Sequence, residues 1–162
     1  MPDGLITPAH APRQSWMALL ARATLNELET ALSNLVPPPG YTLLRAPEIG
    51  LAMVRGRAGG TGNAFNLGEM TMTRCAVRLD SAPHPVGLSY IVGRDARQAE
   101  LAALFDALLQ SSVQLPNQSS VISEGLLGDI RRRIDTERRA RSAETAATRV
   151  DFFTMVREQG GE

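Results

Sequence analysis

Glu69-Met70-Thr71-Met72-Thr73-Arg74-Cys75-Ala76-Val77-Arg78-Leu79 reads with a period of two. Thr71, Thr73, Cys75, Val77 and Leu79 fall on one face, and Met70, Met72, Arg74, Ala76 and Arg78 on the other. That alternation is the signature of a half-buried β-strand with long side chains on one side. Similar runs flank it. Tyr41 to Arg45 and Ile49 to Arg57 precede it, separated by Pro47, and Val86 to Arg94 follows a turn around Asp80 to Pro85. Short connections favour antiparallel pairing. The middle of the chain therefore predicts a small antiparallel sheet of about four strands.

Helical spacing surrounds the sheet. A helix is expected from Pro12, with Trp16, Leu19, Leu20 and Ala23 in register. Thr24 and Glu27 fit a capping box for a second helix, with Leu25, Leu28, Leu32 and Leu35 as its stripe. Pro37-Pro38-Pro39-Gly40 stops it. Asp95 and Gln98 fit a second box, opening a helix with Leu101, Leu104, Phe105, Leu108 and Leu109 on one face. Residues 111 to 120 read as a loop. A last helix starts near Ser123 and buries Leu126, Leu127, Ile130 and Ile134. Its apolar stripe then stops, and residues 135 to 148 hold no large apolar side chain. The fold class is α+β: two helices, the sheet, one helix and a long C-terminal helical arm.

The arm ends in an apolar tip, Arg149-Val-Asp-Phe-Phe-Thr-Met-Val-Arg157. Val150, Phe152, Phe153, Met155 and Val156 left in water would form the kind of patch that marks a protein contact. They are the candidate partner interface; filling the chain's own core is the alternative. A single domain is expected over residues 1–162, with a globular body at 12–134 and an interaction arm at 135–162.

Composition excludes several chemistries. Net charge is zero, and all 17 cationic residues are Arg. Without Lys, an anion site must use guanidinium groups, backbone N–H groups or both. Cys75 is the sole cysteine and His10 and His84 the only histidines. No disulfide, cysteine-cluster metal site or credible Ser-His-Asp triad can be built, so no catalytic or metal-ligating residue is assigned. Aromatic content of 4% argues against nucleic-acid binding. No apolar run of 18 residues and no charged-then-apolar leader is seen, which predicts a soluble, cytoplasmic protein without membrane association.

One segment has the character of an anion cradle. Arg55-Gly-Arg-Ala-Gly-Gly-Thr-Gly62 places four glycines within seven residues, beside two guanidinium groups and a hydroxyl. Arg55, Arg57, Gly59, Gly60, Thr61 and Gly62 are candidate phosphate or phosphonate contacts, with Arg74 on the neighbouring strand. The pattern is neither a dinucleotide fingerprint nor a Walker box, and a tight turn between strands is the competing reading. Arg131 to Arg133 and Arg138 to Arg141 interleave with Asp129, Asp135, Glu137 and Glu144, which reads as local ion pairing.

Five motifs in order resemble one family. They are Arg13-Gln14-x-Trp16-Met17, Gly59-Gly60-Thr61-Gly62, Thr73-Arg74-x-Ala76-Val77-Arg78-Leu79, Gly93-Arg94-Asp95 and Arg149 to Arg157. Together they resemble PhnG, the G subunit of the bacterial carbon–phosphorus lyase system. The resemblance implies phosphonate catabolism in a core assembly with the H, I and J subunits, the I subunit most directly, and with ATPase-like subunits alongside. It implies support for a reaction joining an alkylphosphonate to C1′ of the ribose of ATP, releasing adenine. ATP would be a substrate of the complex, and no cofactor would be bound by this chain. A purely structural assembly subunit and a free-standing nucleotide- or anion-binding regulatory domain are the alternatives.

Overall fold

The computed structural model describes residues 11–58, 61–112 and 121–148. Helices α1 (Ala11–Leu20) and α2 (Leu25–Ser33) precede strands β1 (Tyr41–Arg57), β2 (Ala64–Leu79) and β3 (Val86–Val92). Helix α3 (Ala96–Ser112), a π-helical turn (Val121–Leu126) and α4 (Leu127–Ala147) follow. The chain divides into two compact units, Met1–Arg131 and Arg132–Glu162.

Among the described residues the strands form one antiparallel sheet, in the order β1-β2-β3. The alternation read in Glu69–Leu79 holds: Thr73, Cys75, Val77 and Leu79 are buried, while Arg74 and Arg78 are exposed. Among the described residues the sheet has three strands, where about four were expected. The two runs on either side of Pro47 are a single strand, because β1 absorbs the proline in a bulge. Arg45 pairs with Ala76 and Glu48 with Arg74, so Ala46 and Pro47 together oppose Cys75. β1 lies at the sheet edge, where a residue lacking an N–H costs no ladder bond.

The covered face of the sheet carries α3, whose residues Leu101 to Leu109 are all buried. The expected single apolar stripe is thus too narrow. Ala102, Ala103 and Ala107 are buried as well, which brings the helix backbone close to β3. A Cβ added to Gly87 would lie 1.9 Å from the Ala103 carbonyl oxygen and 2.6 Å from the Ala107 nitrogen. The Ser89 hydroxyl donates to the Ala99 carbonyl across the same gap, at 2.6 Å.

Helix starts follow the sequence signals, with one exception. Thr24 and Glu27 form the full capping box of α2. Asp95 caps α3 by accepting from the Gln98 N–H at 2.9 Å. The Gln98 side chain does not complete that box; its amide donates instead to the Ala23 carbonyl. It thereby satisfies a carbonyl just beyond α1, a partner that local sequence does not reveal.

Candidate functional site

The Gly-rich segment begins on the last residues of β1, Arg55 to Arg57, and leads into the connection between β1 and β2. Gly62 N–H donates to the Ala58 carbonyl at 3.2 Å, and the Arg57 guanidinium donates to the Gly62 carbonyl at 3.0 Å. Arg57 therefore closes the loop on itself. Arg55 and Thr61 are exposed beside it. Gly59 and Gly60 lie outside the described residues, as do Val150, Phe152, Phe153, Met155 and Val156.

Arg74 does not join this cluster. It pairs with Glu48 across the strands, at 3.1 Å from Nε and 3.0 Å from Nη2. Glu48 is nine positions before Arg57 along β1, which is about 30 Å of extended chain. The hairpin loop and Arg74 are two separate places. Arg45 also approaches Glu48, at 3.7 Å. Arg78 is exposed and sits opposite Val86.

Cys75 lies beneath the bulge, where its thiol donates to the Arg45 carbonyl at 3.3 Å. Burial, and then the negative charge of Glu100, push the thiol up to about 11. Such a group is a poor nucleophile at neutral pH. Tyr41 donates to the Glu100 carboxylate, which also pairs with Arg97 at 3.2 Å. Burial, followed by that hydrogen bond, raises the Tyr41 phenol above its usual range. Both groups are held in their neutral forms, Tyr41 tying β1 to α3 and Cys75 tying β2 to β1, without supplying a base.

The densest polar arrangement is one that the sequence reading passed over. Asp106, in the middle of α3, is completely buried. Its carboxylate accepts from Arg13 Nη2 at 2.7 Å, Trp16 Nε1 at 2.8 Å, the Leu88 backbone N–H at 2.9 Å and Gln110 Nε2 at 3.2 Å. The Val86 carbonyl accepts from Gln110 at 2.9 Å and from Arg13 at 3.5 Å. These bonds satisfy backbone groups on the edge of β3 and lock α1 to α3. The arrangement fits a structural clamp, since all its capacity is used internally. An Asp set inside the apolar run Leu104-Phe105-Asp106-Ala107-Leu108 was the available signal, because a buried carboxylate needs partners.

A cavity of about 420 Å³ lies between α2 and the π-helical turn, lined by Asn26, Glu27, Thr30, Asn34, Leu126 and Asp129 among others. Its charged groups are carboxylates, which suits it poorly to an anionic ligand. Among the described residues no cluster of His, Cys, Asp or Glu could hold a metal ion, and no helix is long and apolar enough to cross a membrane.

Residues 11–158 match the family model described as "Phosphonate metabolism protein PhnG". The chain is 49% identical over 147 residues to the alpha-D-ribose 1-methylphosphonate 5-triphosphate synthase subunit PhnG of Rhizobium meliloti (strain 1021). That match covers 91% of this chain and 90% of the relative. Among the quoted motifs, Arg13 and Trp16 are the donors to Asp106, and Thr73, which is buried, donates to the Gly93 carbonyl at 2.8 Å. Motif residues thus include parts of the scaffold as well as surface groups.

Proposed function

The chain belongs to the PhnG family, and on that premise we propose that it is a non-autonomous subunit of a carbon–phosphorus lyase core complex. It works in the cytoplasm with H, I and J subunits, the I subunit most directly. The complex joins an alkylphosphonate to C1′ of ATP's ribose and releases adenine, forming α-ribose 1-alkylphosphonate 5-triphosphate. The observation that carries this reading is the near full-length identity to a relative named as a subunit of the corresponding synthase. It is supported by the chemistry of the described residues, where the only buried carboxylate is occupied and the only thiol is held protonated.

Within the complex, the hairpin loop is the part of this chain suited to an anionic substrate. Arg55 is exposed there, and glycine-rich backbone can approach phosphate oxygens closely. The bond from Arg57 to the Gly62 carbonyl favours a second reading, in which the loop is a self-closed turn and the subunit acts through assembly alone.

Reconstitution separates these readings. The isolated chain should release no adenine from ATP and an alkylphosphonate, and leaving it out should abolish turnover by the remaining subunits. Adenine release by the chain alone would overturn the subunit reading. With the complex intact, Arg55→Ala should lower turnover about ten- to a hundredfold if it contacts substrate, the worth of one charge-assisted hydrogen bond. Unchanged turnover assigns the loop to the turn reading.

A further inference from the structure

An edge strand presents a row of backbone N–H and C=O groups to any other extended chain. Among the described residues β1 and β3 are the edges of the sheet. β1 is irregular. Its register against β2 shifts between Leu43 and Arg45, between Arg45 and Glu48 and between Val54 and Arg55, and Pro47 lies in the second shift. Bulges and proline are ordinary means of blunting an edge. β3 has neither, and it pairs with β2 without a shift from Val86 to Val92. Its Val86, Leu88, Tyr90 and Val92 side chains are apolar and exposed. A regular edge of this kind is the part of the sheet most open to pairing with another strand.

Side chains of α3 close that edge. The Leu88 N–H donates to the Asp106 carboxylate at 2.9 Å, and the Val86 carbonyl accepts from the Gln110 amide at 2.9 Å. A strand lying opposite Gly87 would make the same two bonds, accepting from Leu88 and donating to Val86. Spacing explains the match. Asp106 and Gln110 are one helical turn apart, about 6 Å, and Val86 and Leu88 are two strand residues apart, about 7 Å. An ionised carboxylate only accepts and a carboxamide can donate, so each faces the group that complements it. Gly87 lets α3 come close enough for these side chains to reach the edge, since a Cβ there would meet the Ala103 and Ala107 backbone. Arg13 adds an outer layer from α1, at 3.5 Å from the Val86 carbonyl and 2.7 Å from Asp106. Of residues 12–20 only Leu20 is buried, so the bonds of Arg13 and Trp16 to Asp106 do much to hold α1 in place.

We propose that Asp106 and Gln110, backed by Arg13, stand in for a neighbouring strand and shut the edge of β3 against pairing with a second copy of this chain. The role is independent of the subunit reading. It means that β3 is closed to strand addition for as long as α3 and α1 keep their places on it.

The test compares self-association of full-length variants by analytical ultracentrifugation, with circular dichroism to establish that each is folded. Asp106→Ala frees the Leu88 N–H. It should associate at a protein concentration at least about tenfold below that of the unaltered chain, the equivalent of one net hydrogen bond. Adding Tyr90→Pro should abolish this gain. The Tyr90 N–H, two residues from that of Leu88, points off the same edge, so proline there obstructs an incoming strand and removes no bond to β2. Tyr90→Ala keeps that N–H and should leave the gain in place, which separates pairing at the edge from contact through the sheet face. If Asp106→Ala does not fold, Arg13→Ala combined with Gln110→Ala frees the Val86 carbonyl instead. The same gain, and the same block by Tyr90→Pro, is expected of it. Folded variants that associate no more readily than the unaltered chain would overturn the proposal. So would a gain that Tyr90→Pro leaves in place, or one that Tyr90→Ala also removes.

Discussion

Removing the buried Asp106 carboxylate takes the acceptor from the part-buried Trp16 N–H and Leu88 N–H. Arg13 is about a third exposed and can regain water, so its share of the loss is smaller. Asp106→Ala should therefore cost about 3 kcal/mol, near the lower end for breaking a buried pair, read as a drop in urea unfolding free energy at unchanged slope. A loss below about 1 kcal/mol would mean that the clamp is dispensable. Cys75 gives a pH signature with a defined sign. Its thiol ionises near 9 when unfolded and near 11 when folded, so the unfolded chain releases its proton first. The contribution is complete below pH 9 and is lost as pH rises through about 11. Relative to Cys75→Ala, the native chain should lose stability over that window and track the variant below it. At this scale the sequence was informative about residue type and weak about partners. Cys75 and Thr73 were placed on the correct face by period alone. The Arg74–Glu48 pair was not foreseen, because their register depends on bulges that the pattern does not encode.

Glycine 87 decides how closely α3 approaches β3. A methyl group there meets the backbone of Ala103 and Ala107, and backbone cannot rotate out of the way as a side chain can. Gly87→Ala should force the helix outward and cost about 1–3 kcal/mol, the usual range for overpacking, measured by thermal or urea unfolding. A neutral result would mean that α3 shifts freely on the sheet. The helices, their order and the antiparallel pairing were legible because each carries a period and a cap in its own residues. What was missed at this scale is non-local. Pro47 was read as a break, yet a bulge on an edge strand accommodates it. Gln98 was read as a cap, yet its amide serves the end of α1. The breadth of burial around α3 depends on what lies behind its Ala residues, and a stripe of large apolar residues cannot report that.

The described part of α4 beyond Ile134 is exposed throughout, from Asp135 to Thr148. Its bonds are local: Arg133 pairs with Glu137 at 2.8 Å, and Thr136 and Thr145 donate to carbonyls one turn back. The interleaved charges thus include the local pairing that the sequence implied, and they leave this stretch without an apolar stripe of its own. A helix polar all round bridges to something or is marginal. The five apolar side chains that follow it, Val150 to Val156, lie outside the described residues, and their place in the fold rests on sequence. Each reading makes them costly to lose in a different way. If Phe152 and Phe153 anchor the chain in a partner, replacing both by Ala should weaken association by at least about thirtyfold, the scale of one aromatic hot spot. Melting of the isolated chain should then hardly move. If the two rings fill this chain's own core, the same change should destabilise the isolated chain by about 3 kcal/mol or more. Copurification with the other subunits would then fall only as the fold fails. Titrating the Phe152→Ala, Phe153→Ala chain against its partners, alongside its own unfolding curve, distinguishes the two. An unchanged affinity with an unchanged unfolding curve would remove the tip from both roles.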